Sequence, residues 1–270
     1  MLRPKVALLL MLLSLSLGWQ SVDSMGIGNS NIILGFRGDM LWINPAYCQN
    51  LGWSYGQQTL DTQHRDYPLY EAQYWTVGNL ATGKLHIKDK QGQDWQVALT
   101  GLGVELPSSG KVGISYENVT MTTSANNALN AWSTLVGVAV PIRQPFQGWL
   151  GLTLENVFRQ DPLPVGLDLP PRFALGLGLL PANNWLWTHL IEYTRQEGQT
   201  LQYRTGVAML MENKWTLSAG VAKEGVTLGF SLPFGFGKFP EFTHFSISVL
   251  MPNDIKEELR YSWAFTLGGK

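Results

Sequence analysis

The chain reads as all-β, a transmembrane antiparallel β-barrel of about fourteen strands with twelve possible, and three observations lead there. Its 270 residues combine a near-zero mean hydropathy with 29 glycines and 11 tryptophans. That mixture suits a sheet with one greasy face and one small or polar face. Beyond the first residues, apolar and polar side chains alternate in block after block of about nine to twelve residues, the length a tilted strand needs to cross hydrocarbon. No later apolar stretch approaches the length of a membrane-spanning helix, and long segments of 3.6-residue period are hard to find.

The first element is an export signal over 1–24. Arg3 and Lys5 precede an apolar run at 6–19, and the small residues that follow offer cleavage after Ser24 with Val22 three positions in. An uncleaved anchor is the alternative, but the run is short of the ~20 residues that cross a bilayer as a helix. Residues 25–50 do not alternate well, and 51–270 form the barrel. Within it, "NAWSTLVGVAVPI" turns Trp132, Thr134, Val136, Val138 and Val140 outward. "RFALGLGLLPAN" sets Phe173, Leu175, Leu177 and Leu179 against Ala174, Gly176 and Gly178, and "NWLWTHLIEY" places Trp185, Trp187, His189, Ile191 and Tyr193 outside. The final ladder, "ELRYSWAFTLGG", presents Tyr261, Trp263, Phe265 and Leu267 to lipid. Soluble sandwich strands average about five or six residues, so a secreted soluble β-sandwich binding module is the lesser reading. Trp132, Phe146, Trp185, Trp187 and Trp215 lie toward strand ends, where an interfacial girdle belongs. The Pro-rich connections at 60–71 and 159–172 are expected as extended loops on one rim.

The segment "MGIGNSNIILGFRGDMLWINPAYC", 25–48, with Met-Gly followed some way on by an Asp and Asn-Pro-Ala, resembles the N-terminal motif of the FadL/TodX outer-membrane proteins and of their PorV/PorQ-type relatives associated with type IX secretion. The rhythm of the last strands, including "YRTGVAMLMENKWTLSAGVAKEGVTLGFSL", is similar to the closing hairpins of the PorV type. The resemblance implies a barrel whose N-terminal segment plugs the lumen, with Asp39, Asn44, Pro45 and Ala46 as plug residues. It also implies passage of small hydrophobic compounds, or support of protein secretion and surface attachment, with outer-membrane lipid, a small hydrophobic ligand or secretion-system proteins as partners. Tyr47 and Cys48 depart from the family pattern, which often continues with Gly and Leu.

Charged residues make up 14% and the net charge is -1, so no electrostatic footprint for nucleic acid appears. One Cys, Cys48, excludes an internal disulfide, and no pair among His64, His86, His189 and His244 has zinc-ligand spacing, so neither metal nor other cofactor is expected. His244 and Ser246 stand two residues apart on one strand face, resembling the His-x-Ser of outer-membrane phospholipase A, and an outer-membrane lipid hydrolase is the enzymatic alternative. Their place opposite Phe245, Ile247 and Val249 turns them into the lumen, away from lipid, and the expectation is a non-enzyme. Glu155, Glu192, Arg204, His244 and Arg260 are the polar lumen candidates, with Glu192, Arg204 and Arg260 expected to pair among themselves.

Overall fold

The computed structural model describes residues 44–47, 51–60, 70–88, 94–122, 128–143, 147–160, 171–182, 184–195, 200–211, 215–223, 225–233, 244–253 and 259–269. The signal segment, Asp39 and Cys48 lie outside them. A 3-10 turn, Pro45–Tyr47, precedes β1 (Leu51–Leu60), β2 (Tyr70–Val77), β3 (Leu80–Lys88), β4 (Asp94–Glu105), β5 (Lys111–Thr122), β6 (Ala128–Ile142) and β7 (Gln147–Gln160). The second half holds β8 (Arg172–Ala182), β9 (Trp185–Thr194), β10 (Thr200–Leu210), β11 (Thr216–Ala222), β12 (Gly225–Pro233), β13 (His244–Pro252) and β14 (Arg260–Gly269).

Each strand pairs antiparallel with its neighbours in sequence, and β1 seals to β14 from Leu51↔Gly269 to Leu60↔Arg260. The fourteen described strands thus form a closed ring, which excludes the two-sheet sandwich. Closure matters because a backbone N–H or C=O left unpaired in hydrocarbon costs several kcal/mol, and only a ring has no edge.

Alternation decides which face meets what. On β6, Ala131, Ser133, Leu135, Gly137 and Ala139 are buried, whereas Trp132, Thr134, Val136 and Val138 are half-exposed and Val140 exposed. The outward faces of later strands carry exposed Leu175, Trp187, Ile191, Leu217, Leu228 and Ile247. So continuous an apolar girdle is the signature of a lipid-facing surface. The chain is a transmembrane β-barrel. His189 stands in that girdle with its polarity satisfied: its Nδ1 lies 2.7 Å from the Tyr203 hydroxyl and 3.1 Å from that of Thr205.

The outward sets expected for β6, β8 and β9 are observed, and the connections after β1 and β7 fall on the same rim. That rim also takes the links after the other odd-numbered strands, while β2 and β3 are joined at the opposite rim by a two-residue turn in which Gly78 adopts φ +59°. Membrane barrels keep short turns on one side and longer loops on the other, a division this chain follows except at the link 234–243 after β12 and the two-residue link 223–224 after β11.

Two expectations need correction. Of the terminal ladder, Tyr261 and Trp263 are half-buried on the outward face, but Phe265 is only 4% exposed. It stands opposite Phe245, itself 8% exposed, whose ring lies 5.8 Å from that of Trp263. Aromatic packing removes Phe265 from lipid contact; the Leu267 side chain lies outside those described. The stretch 159–172 is not all loop: Arg159 and Gln160 complete β7 opposite Ser133 and Trp132, and Arg172 opens β8 opposite Glu155. A β-bulge explains why alternation hides this. Asn156 adopts φ 60°, the register shifts between Ser133 and Leu135, and Arg159 returns to the lumen face.

Leu175, outward on β8, tests the lipid assignment. Leu175→Arg is expected to cost about 2–4 kcal/mol in equilibrium unfolding from phospholipid vesicles; an unchanged midpoint would contradict a lipid-facing position.

Candidate functional site

A barrel of about eight strands is filled by its own side chains, but fourteen leave a lumen that something else must occupy. The 3-10 turn at Pro45–Tyr47 sits there, with Asn44, Pro45, Ala46 and Tyr47 all buried. Local chemistry makes the turn. The Asn44 side-chain oxygen accepts the Ala46 N–H at 3.1 Å, the Asn44 carbonyl accepts the Tyr47 N–H at 3.1 Å, and Pro45 has no N–H to satisfy. The Asn44 Nδ2 then donates to the Val138 carbonyl at 3.4 Å, tying the turn to the wall.

The wall is shaped to receive it. Gly103, Gly113 and Gly137 lie side by side in register across β4, β5 and β6. A Cβ on Gly113 would stand 2.2 Å from the Pro45 carbonyl carbon, and one on Gly137 would stand 1.9 Å from Asn44 Oδ1. Only glycine lets the turn approach this closely. Tyr47 provides the anchor. Its ring packs edge-on to Trp149 at 6.2 Å within a cluster of Ala46, Ala139, Ala174 and Leu190, and the Lys111 ammonium lies 5.1 Å from its centroid. Burial pushes the pKa of the Tyr47 hydroxyl up, so the anchor is neutral at physiological pH.

Nearer the opposite rim a polar belt crosses the lumen face. Ser133 donates to Glu117 at 2.7 Å; Arg172 grips Glu155 through its Nε and Nη2 and reaches Glu192 at 3.8 Å. Arg204 lies 3.9 Å from Glu192 and donates to Gln202 at 3.0 Å. Arg159, opposite Ser133, faces the same belt. On β12 to β14 the inward face carries small hydroxyls, Thr227, Ser231, Ser246, Ser248 and Ser262, whereas β3 to β6 add an apolar stretch of wall. Leu85, Val97, Val119 and Ala131 form one cross-strand row through β3 to β6, and the Tyr74 ring packs over Gly83 next to Leu99. All these side chains are buried.

Of the lumen candidates, the structure joins Glu155, Glu192 and Arg204 through Arg172, a residue that the loop assignment had hidden. Arg260, expected in that pairing, opens β14 on the lumen face with Ser262, four strands round the ring from β10. His244 opens β13, its side chain outside those described, while Ser246 is buried and donates to the Ser231 hydroxyl at 2.9 Å. A nucleophilic Ser would instead present its proton to a base. Among the described residues no cluster of His, Cys, Asp or Glu could hold a metal ion. Gly113, Gly137 and Glu117 escaped the sequence reading, and Tyr47 stood in it only as a departure from the family pattern; the spacing of glycines on inward positions was the available signal for the first two.

Seat, belt and apolar wall define a plugged transmembrane barrel. No protein-family model and no curated protein sequence matches the chain. Among solved structures it is similar to the Ralstonia pickettii toluene transporter TbuX, with TM-score 0.62 and 11% identity over 92% of this chain and 97% of that one. It is also similar to the Pseudomonas putida toluene transporter TodX, with TM-score 0.58 and 12% identity over 94% and 99% of the two chains. The CymD monoaromatic hydrocarbon channel gives TM-score 0.58 and 12% identity over 91% and 96%. At these identities the likeness is one of fold.

Two outcomes follow from the geometry. Gly137→Leu is expected to expel the Asn44–Pro45 turn from its seat and raise single-channel conductance in planar bilayers, with heat-shifted gel migration preserved; conductance equal to that of the unsubstituted protein would show that the turn does not close the lumen. Arg172→Met leaves Glu155 and Glu192 without their shared cation, at a cost of about 2–3 kcal/mol in unfolding measurements, and adding Glu155→Leu is expected to recover part of it.

Proposed function

We propose that the chain is a channel of an outer membrane that carries small hydrophobic compounds and is closed at rest by its own N-terminal segment. The observation that carries this reading is the apolar lumen wall of Tyr74, Leu85, Val97, Leu99, Val119 and Leu135, set beside a seated plug. A general diffusion pore lines a watery constriction with charge, whereas here most described lumen charges are drawn into an ion-paired belt, with Lys111 against the Tyr47 ring and Arg260 on β14 outside it. The fold likeness to toluene and monoaromatic hydrocarbon channels supports the same substrate class, and the export signal read at 1–24 fits an outer-membrane location.

Support of protein secretion, the role of the PorV/PorQ-type proteins, would use the same exported barrel. The apolar stretch of lumen wall beside the seated turn favours passage of a small ligand. As a channel the protein needs no catalytic residue, and its functional partners are lipid and the transported compound.

The deciding measurement compares a deletion strain with its complemented parent for toluene uptake and for its set of secreted proteins. Uptake that falls in the deletion while secretion is unchanged is the expected result. Lost secretion with uptake intact would overturn the channel in favour of the secretion role.

A further inference from the structure

The lipid-facing girdle is not uniform. On β11 and β12 outward apolar side chains run to the long-loop rim, where Val221 pairs with Val226 and both are exposed. On β2 to β5 the outward face changes halfway up. Near the short-turn rim it is apolar, with exposed Val77, Leu80, Leu102 and Ile114 and, above them, Trp75 and Tyr116. Toward the long-loop rim it becomes polar in two adjacent cross-strand rows, Gln73–Lys84–Ala98–Asn118 and His86–Gln96–Thr120–Asn130.

That these rows face outward follows from alternation. Leu85, Val97 and Val119 between them are buried on the face of β3 to β5 that also carries Gly113, where the plug sits. The rows surround a recess of about 480 Å³ lined by Gln73, Lys84, His86, Gln96, Asn118 and Thr120 together with Leu85, Val97 and Ala98. Lys84 forms no ion pair among the described residues, and the exposed carboxamides of Gln73, Gln96 and Asn118 make no hydrogen bond among them. Thr120 donates to Asn130 at 2.9 Å, and Glu71 stands opposite His86 in register. Polar side chains on a lipid-facing wall are costly unless something hydrogen-bonds them.

The geometry points to a binding site for the phosphorylated saccharide headgroup of a glycolipid on this outer wall. Three amides and a hydroxyl suit sugar hydroxyls, and the Lys84 ammonium suits phosphate as a point charge. The apolar girdle beneath, edged by Trp75 and Tyr116, is placed for the acyl chains of the same molecule. A recess of this size fits one headgroup rather than a protein interface, which would need a far larger continuous surface. The inference rests on the outer-membrane reading, because the long-loop rim is then the rim beside the outer leaflet.

The test uses the full-length barrel reconstituted into phosphatidylcholine vesicles doped with lipid A, re-extracted in mild detergent and weighed by native mass spectrometry. Retained lipid A is expected to fall about tenfold in Lys84→Ala/Asn118→Ala, the loss of one charge-assisted contact with its neighbour. Lys223→Ala, an exposed lysine on the same rim, is expected to retain lipid A fully. Vesicles doped with phosphatidylglycerol are expected to leave no comparable adduct. Equal retention by the double variant, no lipid A on the unsubstituted protein, equal retention of phosphatidylglycerol, or displacement of lipid A by a co-purifying protein at this wall would each overturn the headgroup site. Gel migration with and without boiling is measured on the same samples. A heat shift that persists while lipid A is lost confines the failure to this inference, and its absence would strike the barrel reading itself.

Discussion

Backbone hydrogen bonding in a medium without water is the constraint from which the rest of this molecule follows. Each strand must find partners on both sides, so β1 has to meet β14, and a fourteen-strand ring fixes a lumen wider than its own side chains can fill. Everything inside answers that width. The 3-10 turn at Pro45–Tyr47 enters it, and Gly103, Gly113 and Gly137 give up their side chains so that the turn can lie against bare backbone. Glycine in a strand interior weakens the strand, and the contacts of Asn44, Pro45 and Tyr47 offset that loss.

The lumen divides the remaining work between its walls. Strands β3 to β6 line it with aliphatic rows, while β5 and β7 to β10 carry the ion pairs that centre on Arg172. Partly buried carboxylates are tolerable there because each has a cation or a hydroxyl: Glu117 has Ser133, Glu155 has Arg172, and Glu192 lies between Arg172 and Arg204. Removing one member leaves its partners buried without a counter-charge, which costs more than the intact belt adds. An apolar solute on the aliphatic side would meet no unpaired charge.

The ring itself was legible because period-two alternation survives in nearly every strand, and the outward sets of β6, β8 and β9 could be named residue by residue. Alternation fails where a bulge resets it. Arg159 and Arg172 flank Pro-rich sequence, and with Asn156 at φ 60° their lumen positions could not be counted from the strand before. The plug motif was legible only through family resemblance, which singled out Asn44, Pro45 and Ala46 but treated Tyr47 as a departure. Tyr47 is the anchor, and its partners Trp149 and Lys111 lie some hundred and sixty-odd residue positions apart from it in sum, distances over which no local pattern can speak. Phe265 illustrates the reverse error: period places it outward, but neighbouring aromatics on β13 and β14 cover it.

The order of elements along the chain has a consequence for biogenesis. The plug turn precedes β1, and β1 is sealed by β14, the last of the described strands in chain order. Hairpins β2 to β13 join neighbours in sequence, whereas the final seam joins residues two hundred or more positions apart, the slowest kind of contact to form. The seat of the turn on β4 to β6 lies away from that seam, so seating the turn needs contacts only with early strands. Seating the plug and sealing the ring are thereby separate events in the chain: one is settled by glycines on neighbouring strands, the other by the pairing of its two distant ends.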